Sequence, residues 1–127
     1  MSATHPPVFP AIALPDLAGQ PQPLASAWAA GSALMLLGHS GCDTTRFMLP
    51  FVDRMHRRRG PGTGVIAVLQ DEPDDARELK ERLDLGLPVL LEPPPYELTA
   101  ALGLTTVPTR FQIAPDGRIE EEVVAFR

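Results

Sequence analysis

Cysteine occurs once in this chain, as Cys42. Tryptophan and tyrosine also occur once each, and aromatic residues make up only 6% of the 127 positions. One sulfur excludes an internal disulfide, so any disulfide chemistry must run to a second molecule. Cationic side chains are scarce as well, 11 against 16 carboxylates. The formal charge of −5 excludes the broad positive surface with which proteins collect nucleic-acid phosphates. The one basic run, Arg57-Arg58-Arg59, reads as the solvated end of a helix, where cations meet the negative pole of its dipole. Long apolar stretches are missing too: nothing approaches the roughly 20 residues that a bilayer-spanning helix needs. The first twenty residues have no charged segment ahead of an apolar run. They are broken by Pro6, Pro7, Pro10 and Pro15, which is not the pattern of an export leader. The expectation is a soluble, cytoplasmic chain that engages neither nucleic acid nor membrane.

Present in quantity are proline, at 15 positions, and apolar residues, at 44%, enough for one core in a single domain over 1–127. Residues 1–10 form a proline-rich extension expected to drape over the surface. A short strand follows around Ala11 to Leu14, then a turn at Asp16 to Gln20 and one or two helical turns over Leu24 to Ala30. "SALMLLG" (32–38) and "TGVIAVLQ" (63–70) are continuous apolar runs, the mark of strands buried on both faces of a parallel sheet. Between them, 43–59 has helical spacing, with Phe47, Met48, Phe51, Val52 and Met55 as the expected buried face. Arg46, Asp53, Arg54 and Arg57 fall on the opposite face.

"PDDARELKERLDLG" predicts a second helix, with Pro73 in its first turn, Ala76, Leu79 and Leu83 buried, and Gly86 as its left-handed stop. "PVLLE" (88–92) suits a strand and "YELTAALG" (96–103) a two-turn helix closed by Gly103. "PTRFQIA" and "RIEEEVV" flank the turn tripeptide at 115–117 as an antiparallel hairpin. The order describes an α/β fold: a mixed sheet flanked by helices, ending in that hairpin.

Cys42 falls between a buried strand and the helix after it, at or just before the first helical residue. In open α/β sheets, ligands and reacting groups collect at the carboxyl ends of the strands. A thiolate there meets free N–H groups and the positive pole of the helix, which lower a thiol pKa and raise its reactivity. The adjacent Asp43 pulls the other way, Arg46 assists, and sequence does not rank them. A lone cysteine also serves elsewhere as a small buried hydrophobe, so both readings stand at this point. His39, three residues earlier, is either a thiolate partner and proton carrier or a solvated loop residue. His39, Cys42 and Asp43 alone make no credible metal ligand set, and neither metal nor other cofactor is expected.

Two motifs in sequence order resemble the thioredoxin-like superfamily, most closely its TlpA-type or redoxin branch, over residues from about 8 to the C-terminus. In "CDTTRFMLP", Pro50 stands eight positions after Cys42, as a proline does after the first cysteine of that family's Cys-x-x-Cys helix. "GLTTVPTRFQIAPDGRI" (103–119) contains Val107-Pro108-Thr109, where the family has a cis proline facing the active cysteine. The resemblance implies a thioredoxin-like fold with Cys42 as the functional thiol and Pro108 opposite it. Val107, Thr109, His39 and Arg110 then lie where a substrate would, Arg110 toward an anionic partner such as glutathione.

The departures matter equally. Thr45 replaces the second cysteine, either donating a hydrogen bond to the thiolate or merely filling the space. Gly38 and Gly41 replace aromatic residues, and Leu36 stands for the buried acid. With these replacements the resemblance implies a monothiol thiol–disulfide oxidoreductase, its Cys42 forming a mixed disulfide with a client protein or small thiol that an external thiol resolves. The alternatives are a redox-inactive binding or chaperone-like module and, less well matched, a thiol peroxidase.

Overall fold

The computed structural model describes residues 8–60 and 62–124. The two long apolar runs form the centre of the sheet, as β3 (Ser32–Gly38) and β4 (Thr63–Leu69). Before them come β1 (Ala13–Pro15), β2 (Pro21–Pro23) and a 3-10 turn over Leu24–Ala27. After them, or between them, come α1 (Asp43–Arg58), α2 (Pro73–Arg82), β5 (Val89–Leu91), α3 (Glu97–Leu102), β6 (Thr109–Ile113) and β7 (Ile119–Val124).

The main sheet has the order β5-β4-β3-β6-β7. β3, β4 and β5 run parallel, and β6 and β7 are antiparallel to their neighbours. Strands β3 and β4 are hydrophobic without alternation because each face is covered. On one face Met35, Leu37, Ile66, Val68, Phe111 and Ile113 meet Leu24, Trp28, Leu98 and Leu102. Phe9 joins them, its ring edge-on to Trp28 at 5.5 Å and to Phe111 at 5.3 Å. Of the expected extension over 1–10, residues 1–7 lie outside the described residues, and Phe9 does not drape over the surface: it is 1% exposed and its N–H donates to the Gly117 carbonyl. On the other face Leu34, Leu36, Val65, Ala67 and Leu69 lie under Leu49 and Val52 of α1 and Ala76 and Leu79 of α2.

Three local expectations need correction. α1 turns a different face to the sheet: Thr45, Leu49, Val52 and Asp53 are buried, while Phe47, Phe51 and Met55 are exposed. Asp53 is buried because its carboxylate has partners there. Oδ1 accepts the N–H groups of Gly86 and Leu87 at 2.8 and 2.9 Å, and Oδ2 accepts Arg57 Nε at 2.7 Å. The left-handed residue after α2 is Asp84 (φ 52), not Gly86, whose N–H is the one held by Asp53. β2 is the third surprise. Its two prolines are tolerated because it pairs only with β1, outside the main sheet.

Candidate functional site

The site is built where β3 hands over to α1. Gly38 ends the strand because Thr45 packs directly on it: a Cβ at that position would lie 2.7 Å from both Thr45 Cγ2 and Oγ1. The chain then makes a short loop held by a carboxylate from the neighbouring strand. Asp71, just beyond β4 and with its side chain only 2% exposed, accepts Ser40 N–H at 3.0 Å and Ser40 Oγ–H at 2.5 Å. His39 Nε2 lies 3.5 Å from the same carboxylate. Its Nδ1 accepts the Gly41 N–H at 2.9 Å, which places the ring proton of a neutral His39 on Nε2. Arg46 reaches back to the Ser40 carbonyl and pairs with Asp43.

Cys42 is the N-cap of α1, in extended conformation (φ −98°, ψ 123°) and half-buried. Its N–H donates to the His39 carbonyl at 3.0 Å, which folds the loop so that the sulfur faces the first helical turn. The thiol pKa is held below its ordinary value. The Thr45 N–H contributes most; the Thr45 hydroxyl and the N–H and hydroxyl of Thr44 add to it, while partial burial opposes them. Thr45 Oγ1 also accepts the His39 N–H at 3.3 Å, so its own proton is free to point at the sulfur. Polar groups of the first helical turn, not formal charges, favour the thiolate here. Asp43 and Arg46, which pull the thiol in opposite directions on paper, are paired with each other.

β6 supplies the opposite wall. The last pair of its ladder with β3 is Leu37↔Thr109, which brings Val107 and Pro108 to the end of the sheet where Cys42 opens α1. The Val107–Pro108 peptide bond is cis. Pro108 and Thr109 are buried, and Thr109 Oγ1–H donates to the Thr106 carbonyl at 2.9 Å. Val107 is half-buried against the core. Arg110 sits across from Leu36 and pairs with Glu121 at 3.3 Å, so its charge is already engaged on the β6–β7 surface. Leu36 itself is fully buried.

The structure adds residues that the sequence did not single out. Asp71 is the first. Gln70, Glu92 and Thr99 form a second group nearby: Glu92, 1% exposed, accepts bonds from Gln70 Nε2, Thr99 N–H and Thr99 Oγ1. His39, Asp71, Gln70 and Glu92 line a cleft of about 330 Å³ together with Pro15 and Tyr96. Position was the available signal for Asp71 and Gln70. They directly follow an apolar run, at the carboxyl end of a parallel strand beside β3. Among the described residues, no three His, Cys, Asp or Glu side chains come together as a metal site would require.

No family model and no curated protein matches the chain. Solved structures do match it. The thioredoxin domain of a thiol-disulfide oxidoreductase from Bacteroides vulgatus superposes with a TM-score of 0.84 at 19% identity, over 98% of this chain and 91% of that one. The fold is thioredoxin-like. A thiol-disulfide oxidoreductase from Bacteroides fragilis gives a TM-score of 0.82 at 15% identity, covering 94% and 91% of the two chains. StoA from Bacillus subtilis gives 0.76 at 16% identity, covering 96% and 92%.

Proposed function

We propose that this chain is a monothiol thiol–disulfide oxidoreductase that works through Cys42. The carrying observation is a half-buried thiol at the N-cap of α1, beside the N–H groups and hydroxyls of Thr44 and Thr45, in a sequence without a second cysteine. The Cys42 thiolate attacks one sulfur of a disulfide R–S–S–R′, forming Cys42–S–S–R and expelling R′–S⁻. With Thr45 where a resolving thiol would stand, the mixed disulfide persists until an external thiolate attacks it, taking R and restoring the Cys42 thiolate. Proteins of the same fold described as thiol-disulfide oxidoreductases support the reading.

The wall at Val107 to Thr109 suits an extended client lying beside the sulfur, because it leads into the first residue of β6 at that end of the sheet. Glutathione is one small thiol that could supply R.

Two measurements test this. Alkylation of Cys42 by iodoacetamide across pH, with Cys42→Ser as blank, is expected to show a midpoint below the ~8.5 of a free thiol. Turnover of a glutathione mixed disulfide in the presence of excess reductant should then depend on Cys42. A midpoint at or above that of a free thiol, or turnover unchanged in Cys42→Ser, overturns the proposal.

A further inference from the structure

A second opening lies at the end of the sheet remote from Cys42. β5 pairs with β4 only from Ala67 onward, so Gly64, Val65 and Ile66 face no strand on that side. A cleft of about 670 Å³ reaches them, between the β1–β2 hairpin and the end of α1. That is the size of a small-molecule site. Its walls include Leu24, Val65, Ile66, Val89 and Leu90.

Three basic side chains line the same cleft: His56 in the last turn of α1, Arg59 just beyond it, and Lys80 of α2. Arg59 Nη1 donates to the His56 carbonyl at 2.6 Å and lies 3.1 Å from His56 Nδ1. A guanidinium only donates, so Nδ1 accepts and the ring proton of a neutral His56 sits on Nε2. Lys80 Nζ donates one of its three protons to the Leu87 carbonyl at 2.8 Å. Among the described residues neither Arg59 nor Lys80 has a carboxylate within ion-pair distance. Arg46, Arg57, Arg77, Arg82, Arg110 and Arg118 all do; Arg54 and Arg58 do not, but Arg54 lies over the Phe51 ring and neither lines this cleft. The acid in the cleft wall, Asp16, is already engaged by Ala18 N–H, Gln20 N–H and Gln22 Nε2. In a chain of net charge −5, two cations without an ion-pair partner against the single carboxylate of Asp16, beside an apolar wall, suit an anion carrying hydrocarbon.

We infer that this cleft is a second ligand site, for a compact organic monocarboxylate, held by Arg59 and Lys80 with its hydrocarbon against Leu17, Pro23 and Leu90. The site is independent of the chemistry at Cys42. His56 reports on it. Burial, then the charges of Arg59, Arg57 and Lys80, push its pKa down against the opposing pull of Asp53. Asp16 faces the cleft from the hairpin side. A bound carboxylate adds negative charge beside His56 and raises that pKa. By linkage, binding tightens as pH falls through the His56 titration.

The probe is octanoate, followed by two-dimensional amide NMR and by the His56 Cε1–H resonance, with 1-octanol as the uncharged control and Cys42→Ser as the host. The expected result is saturable shifts at Val65 and Leu90, an upward move of the His56 midpoint, and about tenfold weaker binding in Arg59→Met/Lys80→Met. Arg59→Met alone serves if the double variant does not fold. Three outcomes overturn the proposal: no saturation at millimolar octanoate, equal binding of octanol, or shifts confined to Phe47, Phe51 and Met55, which mark non-specific adsorption.

Discussion

Thr45 serves three neighbours with one side chain. It lies against Gly38, its Oγ1 accepts the His39 N–H, and its hydroxyl faces Cys42. Thr45→Val keeps the shape and removes the hydroxyl, so the thiol pKa should rise and alkylation at pH 7 should slow severalfold, with Thr45→Ser restoring most of the rate. An unchanged pH profile in the valine variant removes the Thr45 hydroxyl from the causes and leaves the Thr45 N–H and Thr44. Cys42, Thr45 and Pro108 could be proposed from the sequence because each has a fixed place inside a motif. Asp71 could not. It stands in "QDEPDD", an acidic stretch in which five of six residues are plausible solvated turn or helix-start residues, and only the neighbouring strand shows that Asp71 faces inward to Ser40. Asp71→Ala should cost about 1–2 kcal/mol in urea unfolding, since it strips two donors of a partly buried loop residue of their acceptor. A loss near zero would mean that water replaces the carboxylate without penalty.

Helix α1 shows where periodicity stops being informative. Two stripes repeat with helical spacing, Phe47-Phe51-Met55 and Thr45-Leu49-Val52, and hydrophobicity alone favours the first. The sheet takes the second, because Gly38 leaves room for Thr45 and because Asp53 can satisfy the N–H groups of Gly86 and Leu87. A scale that scores Asp as polar cannot anticipate a carboxylate whose partners arrive more than thirty residues later. The same long-range bond explains Asp84 and Gly86: glycine is the usual left-handed residue, but this one is committed to Asp53. The two stripes are separable by stability. Leu49→Ala should cost about 2–5 kcal/mol, as other buried leucine truncations do. Phe51→Ser, on a residue 45% exposed, should stay within about 0.5 kcal/mol. The reverse ranking in denaturant unfolding would place the wrong face on the sheet.

Across the whole molecule, the alternation of strand and helix was legible because each element carries its own period and punctuation. The strand order β5-β4-β3-β6-β7 is not encoded locally, since pairing joins segments far apart in sequence. Folding is also tied to the ionisation of the site. The native thiol of Cys42 has a depressed pKa, so between that value and about 8.5 the unfolded chain binds the extra proton. Stability relative to Cys42→Ser should therefore be level at low pH, rise with pH through that window and level off above it, measured by urea unfolding under reducing conditions. A difference that declines as pH rises contradicts a native thiolate. Asp53, whose pKa is lowered by Arg57 and by the N–H groups of Gly86 and Leu87 against the cost of its burial, contributes at the acid end. Its share is lost as pH falls below about 4. The presence of threonine at 45 has one more consequence. A dithiol protein stores its oxidation almost invisibly, losing only the mass of its two thiol hydrogens. On the proposed mechanism each mixed disulfide is heavier by its partner, so intact-mass spectrometry of the freshly isolated protein is expected to show an adduct on Cys42 that names that partner.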